Sequence, residues 1–227
     1  MEKNPTQESA FLNGEANNWF NRNRKGLFSP EESIGVNSIS AMLTPFKDEI
    51  SKMLEIGCSD GSKLRSLCEN LDAMGFGIDP SSDAISAGNA VTDSTVQMNL
   101  TVGTANKLQF ENSFFDVVYF GFSLYLIDRS ALFLAISEAD RVLKPGGFLV
   151  IQDFNPGIRH KRPYSHLDGI FSYKNSYAEL FTSTGHYFEA EKTSFSHTKS
   201  SFDRDPNERI SISLLYKETD PYPQISI

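Results

Sequence analysis

The run Met53-Leu54-Glu55-Ile56-Gly57-Cys58-Ser59-Asp60-Gly61, followed by Gly75-Phe76-Gly77-Ile78-Asp79, decides how this chain is read. An apolar run ends at Glu55, a glycine turn lets the backbone pass close to a ligand, and a helix begins at Ser62. A second apolar run then delivers the Asp79 carboxylate where ribose hydroxyls would sit, so the corner reads as nucleoside-binding. Outward from it, short apolar runs predict strands near 52–56, 74–79, 98–102, 115–120 and 147–153. Helices fit between them over Ser62–Leu71, Ser81–Ala90 and Ser130–Leu143, the last with Leu132, Ile136, Ala139 and Leu143 on one face. Such alternation is the signature of βαβ units and a parallel sheet. Lys144-Pro145-Gly146-Gly147 ends the third helix, because proline cannot continue it and glycine supplies the turn.

After the fifth strand the sequence predicts a long loop, a helix over Tyr173–Thr184 stopped by Gly185, and two alternating strands, His186–Phe195 and Arg209–Lys217. The fold expected is α/β: a Rossmann-like, seven-stranded, mostly parallel sheet with helices on both faces and a C-terminal antiparallel hairpin, occupying residues 51–220. Residues 1–50 are rich in Asn, Ser and Glu but hold aromatic anchors at Phe11, Trp19, Phe20 and Phe28, which suits an arm or lid packed on the domain. Within it Ile39–Ile50 reads as a short helix with Pro45 near a break.

Composition narrows the function classes. With 227 residues, 39% of them apolar and 18 of them phenylalanine, the chain can build one sizeable core rather than two small ones. A net charge of -8 opposes non-specific binding to nucleic acid or an anionic membrane. Cys58 and Cys68 have no Cys-x-x-Cys or clustered histidine partner, so neither a metal site nor a disulfide framework is indicated. The N-terminus lacks an apolar signal core, and the longest apolar stretch, Phe114–Ile127, is short for a membrane span and contains Asp116. A cytoplasmic protein with reduced thiols, monomeric or homodimeric, is expected.

A pyrophosphate-binding turn wants Gly-x-Gly-x-x-Gly, but the matching positions here are Gly57, Ser59 and Ser62, and no Gly-Lys-Ser/Thr sequence supports a P-loop. The ensemble Glu55-x-Gly57-x-x-x-Gly61, Gly77-x-Asp79, Ala105, Phe115-Asp116-Val117-Val118 and Lys144-Pro145-Gly146-Gly147 resembles the class I S-adenosylmethionine-dependent methyltransferases, in order and spacing, over residues 40 to 217. The resemblance implies S-adenosylmethionine as cofactor, with Glu55, Gly57, Ser59 and Gly61 beside its methionine part, Asp79 on the ribose and Thr104-Ala105 along the adenine. Phe120 to Tyr125 would border cofactor and substrate. Two positions depart from the family's pattern: Ser59 stands where a second glycine is common, and Thr104 where an aspartate commonly receives the adenine amino group. Read without the resemblance, Glu55 could pair with a backbone amide or Lys63, Asp79 could cap the helix after Ser81, and Phe120, Phe122 and Tyr125 could be core.

Methyl transfer needs few catalytic groups, because the sulfonium is already electrophilic; a base is required where the acceptor holds its proton tightly. His160 and His166, in the loop after the fifth strand, are the candidate bases, with Asp153 and Tyr164 as competitors. Arg159, Lys161 and Arg162 gather cations in that loop and favour a phosphate or carboxylate on the acceptor, with solvated surface charge as the plain alternative. Tyr125, Tyr164 and Trp19 complete the expected substrate side. The function expected is methyl transfer to a small, anionic or sugar-like acceptor, at oxygen. The alternatives are a catalytically silent binding or scaffold protein, a protein-modifying enzyme, and an NAD-dependent oxidoreductase, which the missing glycines disfavour.

Overall fold

The computed structural model describes residues 6–25, 30–92, 95–196 and 201–225; Phe28, among the expected anchors, lies outside them. Its sheet is built from β1 (Lys52–Ile56), β2 (Met74–Asp79), β3 (Met98–Val102), β4 (Phe115–Gly121) and β5 (Leu143–Phe154), with β8 (Tyr187–Ser196) and β9 (Arg209–Lys217). The seven strands run in the order β3-β2-β1-β4-β5-β9-β8. The first five are mutually parallel, and β9 lies antiparallel between β5 and β8. The expected α/β sheet with its closing hairpin is therefore the observed one.

Period-two alternation explains how one sheet serves two core layers. On β1, Met53 joins Val117, Tyr119 and Val150 under α3 (Pro30–Leu43) and α4 (Ser62–Leu71). Its neighbour Leu54 joins Val118, Phe120 and Leu149 under α6 (Leu132–Val142) and α7 (Glu179–Thr182). Every residue of β4 is buried, as a parallel strand covered on both faces requires. Helix α4 buries Leu64, Leu67, Cys68 and Leu71, one stripe at helical spacing, and stops at Asp72 in the left-handed region. Helix α5 (Ser82–Asn89) is capped by Ser81, whose Oγ accepts from the Ala84 amide at 3.1 Å.

At the opposite edge from the strand ends, Asp116 ties β1, β4 and β5 together. It accepts from the Ser51 amide and hydroxyl (2.9 and 2.8 Å), the Lys52 amide (2.9 Å) and Lys144 Nζ (2.5 Å). Burial alone would raise its pKa, but Lys144 and the Ser51 and Lys52 donors outweigh that and hold it below the usual carboxylate range.

Two segments differ from the sequence expectation. The long loop after β5 contains a ribbon, β6 (His160–Pro163) paired antiparallel with β7 (Phe171–Lys174), and the predicted helix over Tyr173–Thr184 shrinks to α7. Phe171-Ser172-Tyr173-Lys174 alternates, burying Ser172 and Lys174, and the long-range pairing with 160–163 overrides the helical spacing of Tyr177, Leu180 and Phe181. The N-terminal segment is more helical than expected: α1 (Gln7–Ala10), a π-helical turn (Phe11–Glu15), α2 (Ala16–Asn23), α3, and a 3₁₀ turn over Thr44–Glu49 that contains Pro45. Helix α2 packs on α5, and α3 packs on α4 and β9.

Candidate active site

A cavity of about 340 Å³ opens at the carboxyl ends of the parallel strands, where open α/β sheets bind ligands. Its polar end starts at β1. Glu55 lines it, and the turn beyond is fixed to β2 by the Gly57 and Cys58 amides, which donate to the Ile78 carbonyl at 2.8 and 3.0 Å. Gly57 has φ +82°, and a Cβ there would stand 2.6 Å from that of Ser123, so the turn needs glycine for conformation and for space. Asp79 ends β2. Its carboxylate accepts from the Ser59 amide at 2.9 Å and the Ser81 amide at 2.8 Å. Burial raises its pKa, and those two amides offset part of the rise. Gly103, Thr104, Ala105 and Asn106 follow β3. Thr104 donates its hydroxyl to Asn106 Oδ1 at 2.7 Å, and Asn106 in turn donates to Glu8 at 3.1 Å.

The other end is aromatic and apolar, formed by Phe122 and Tyr125 after β4, Phe154 at the end of β5, Phe195 and Ile210. Phe154 packs edge-on against Phe122 and Tyr125, with ring centroids 5.7 and 5.1 Å apart. Behind this wall Asp153 accepts from the Tyr125 and Phe154 amides (3.2 and 2.7 Å), and the Lys174 ammonium lies over the Phe154 and Tyr125 rings at 2.8 and 4.7 Å. Burial pushes Asp153 up to about 7, against its two amide donors and Lys174; burial also brings Lys174 down to about 8, against Asp153.

Helices α1 to α3 roof the cavity with Gln7, Glu8, Phe11, Trp19 and Ile34. One side is pinned by Gln7, whose Nε2 donates to the Leu126 and Phe171 carbonyls (2.6 and 2.8 Å) and whose amide donates to Asp128 (2.9 Å). The other side is pinned at the start of α5, where Ser81 donates to Asn17 at 2.8 Å and Asn21 to Asp83 at 3.0 Å.

Of the residues expected from sequence, Glu55, Gly57, Ser59, Asp79, Thr104, Ala105, Tyr125 and Trp19 line this cavity. Gly61 does not: it caps α4, facing the Leu100 and Met98 side chains. Phe120 does not either. It is fully buried in the core layer with Leu54 and Val118, because the parity of β4 turns it away and Gly121 begins the cavity wall. The basic loop is also displaced. Arg159, His160, Lys161, Arg162, Tyr164 and His166 lie outside the lining, on or beside the ribbon. There His160 Nδ1 meets the Ile158 carbonyl at 2.8 Å, Lys161 covers the Phe171 ring at 4.1 Å, and Arg162 reaches Glu208 at 3.9 Å. Tyr164 donates to Glu15 at 2.8 Å and accepts from Arg22 at 3.2 Å, so it fastens the N-terminal helices to the ribbon. Cys58 lines the cavity, but burial and then Asp79 and Glu55 push its thiol well up, which makes it a poor nucleophile.

Sequence reasoning missed Gln7, Ile34, Asn106, Gln152 and Phe154. Gln152 and Phe154 had a signal, their place at the carboxyl end of a central strand. Gln7 and Ile34 had none, since only the tertiary fold brings their helices over the sheet edge. Among the described residues no group of three His, Cys, Asp or Glu is placed to hold a metal, and no helix is long and apolar enough to cross a membrane.

Residues 54–151 match the family model for a methyltransferase domain. A demethylmenaquinone methyltransferase of Staphylococcus aureus (strain MRSA252) is 35% identical over 101 residues, which cover 44% of this chain and 41% of that protein. The chain thus spans about two-fifths of the length of the curated relatives it matches. Among solved structures, a Burkholderia thailandensis 1,6-didemethyltoxoflavin-N1-methyltransferase with bound 1,6-didemethyltoxoflavin and S-adenosylhomocysteine superposes with a TM-score of 0.71 at 12% identity, over 96% of this chain and 92% of that one. A SAM-dependent methyltransferase of Methanosarcina mazei gives 0.60 at 18% identity, over 75% and 93%. At such identities these two structures share the fold. Through residues 54–151, which match a methyltransferase-domain model, this chain is similar to the class I S-adenosylmethionine-dependent methyltransferases.

Proposed function

We propose that this chain transfers the methyl group of S-adenosylmethionine to a small, flat, largely apolar acceptor. The observation that carries the reading is the division of one cavity into a polar end, with Glu55, Asp79 and Thr104, and an aromatic end, with Phe122, Tyr125 and Phe154. The polar end suits the cofactor. The Asp79 carboxylate would accept from ribose hydroxyls, Glu55 and the Gly57 turn would meet the methionine part, and the Thr104-Ala105 stretch would meet the adenine. When bound, the cofactor supplies a methyl group already activated on a sulfonium, so alignment and exclusion of water dominate the task left to the protein. The aromatic wall and the helical roof supply that exclusion, and the contacts of Gln7, Asn17 and Tyr164 support a lid role for residues 1–50.

Oxygen is the acceptor atom we propose, and the lining narrows what kind of oxygen. Among the described lining residues there is no histidine, and Asp128 is held low, burial notwithstanding, by Ser130 and the Gln7 amide. A phenolic or enolic hydroxyl, which gives up its proton readily, fits such a site better than an alcohol. An anionic group on the acceptor has weaker support: the described lining holds Glu8, Glu55, Asp79 and Asp128 against Lys63, and the Arg159–Arg162 run would meet only a part of the acceptor that protrudes. The named relatives act on demethylmenaquinone and carry 1,6-didemethyltoxoflavin, which supports a small-molecule acceptor.

The test is transfer of a deuterated methyl group from S-adenosylmethionine to a panel of phenols, naphthols and hydroxycoumarins, read by mass spectrometry. Transfer by the wild type and not by Asp79→Ala is expected. S-adenosylhomocysteine binding without transfer to any member would favour the silent scaffold.

A further inference from the structure

We infer that Gln152 is the specificity-determining contact of the acceptor, and that the acceptor carries a hydrogen-bond-accepting atom, a carbonyl oxygen or ring nitrogen, beside its reacting hydroxyl. The inference rests on the proposed methyl transfer and extends it to the chemistry of the substrate. Gln152 lies at the carboxyl end of β5, lines the cavity and is only 3% exposed. Its main chain is fixed, because its carbonyl accepts from the Phe122 amide at 2.8 Å. Its side chain is fixed as well: Oε1 accepts from the Tyr119 hydroxyl at 2.6 Å, in a bond buried on both sides. Tyr119 therefore turns the amide oxygen to the core and leaves Nε2 as the free end.

That end donates to no described residue. It borders the cavity in which the acceptor would lie, so a ligand that reaches it can pair with it there. Helix α3 makes room for it at Gly35, where an added Cβ would come within 2.7 Å of Nε2. The surrounding lining is apolar, with Phe122, Phe154 and Ile34 near at hand in the same cavity. An amide donor set among aromatic rings discriminates between ligands, since an analogue lacking the matching acceptor leaves the donor without its partner.

Two nearly isosteric flat probes separate the possibilities: 3-hydroxycoumarin, whose lactone carbonyl adjoins the hydroxyl, and 2-naphthol, which has no such carbonyl. Each is titrated calorimetrically into protein saturated with S-adenosylhomocysteine, for the wild type, Gln152→Met and Gly35→Ala. The wild type should bind the coumarin about tenfold more tightly than the naphthol, which corresponds to one buried hydrogen bond. Both variants should bind the two probes alike while retaining wild-type affinity for S-adenosylhomocysteine, which reports an intact fold and cofactor site. A preference that survives in Gln152→Met, equal binding of the probes by the wild type, or binding of neither would overturn the inference and leave the cofactor reading standing. Failure of the wild type to bind S-adenosylhomocysteine would overturn both.

Discussion

Gly57→Ala should damage stability and, on the proposed function, cofactor binding together, because the same turn would serve both. At φ +82° a non-glycine residue pays roughly 1–2 kcal/mol in left-handed strain. The new methyl would also meet Ser123 Cβ at 2.6 Å. Ser123 cannot yield freely, since its Oγ donates to the Ile56 carbonyl at 2.7 Å, so overpacking adds about 1–3 kcal/mol. The sum, about 2–5 kcal/mol, is a large part of the roughly 5–15 kcal/mol that holds an ordinary domain together. For a chain of this size it corresponds to a fall in Tm of roughly 4–20 °C. The control is Gly103→Ala, which also lines the cavity but whose added Cβ would find nothing nearer than Ile78 at 3.8 Å and no left-handed φ. Thermal unfolding and S-adenosylhomocysteine titration of both variants decide the matter. A wild-type midpoint and affinity for Gly57→Ala, or equal losses in the two variants, would refute the reasoning about the turn.

Asp116→Ala strands the Ser51 and Lys52 amides and should cost roughly 2–4 kcal/mol, whereas Lys144→Ala, removing a side chain that is 40% exposed, should cost less than about 1 kcal/mol; equal losses in urea unfolding would mean that the ion pair, not the capping of two amides, secures that edge. The stability that Asp116 contributes is complete above the unfolded carboxylate value of about 3.9 and is lost as the pH falls through its lower folded value. Asp153 behaves in the opposite sense. Between about 3.9 and about 7 the folded chain keeps a proton that the unfolded chain has released, so stability declines as pH rises through that window, and Asp153→Asn should flatten the decline in unfolding measured across it. Thr104→Val removes the hydroxyl that would face the adenine and frees Asn106 from its 2.7 Å bond; a loss of S-adenosylhomocysteine affinity of about fivefold is expected by calorimetry, with the fold unchanged.

The polar end of the cavity was legible because its information is local. Glu55, Gly57 and Asp79 are placed by two short strands and a turn, all of which announce themselves in consecutive residues. The aromatic end was legible only in part, through Tyr125 and Trp19. Arg159 to Arg162 drew attention by charge and by following β5, yet pairing with Phe171–Lys174 carries that segment out to a solvent-facing ribbon. Tyr173 and Tyr177 share helical spacing with Leu180 and Phe181, and nothing nearby in sequence reveals that the strand holding Lys161, its partner in the ribbon, competes for Tyr173. Phe120 could have been placed by parity, since Val118 and Phe120 must share a face while Tyr119 and Gly121 take the other. The helical arm could not: its Asn-rich sequence bonds to Ser81, Asp83 and the Asn106 loop, partners that exist only once the sheet has formed.

The central claim is most directly tested by calorimetric titration of the purified chain with S-adenosylmethionine and S-adenosylhomocysteine, with NAD as control, beside Asp79→Ala. The account predicts saturable binding of both sulfur compounds, no binding of NAD, and loss of at least tenfold in affinity in a variant that remains folded. Binding unaffected by Asp79→Ala, or heat from NAD alone, would contradict it.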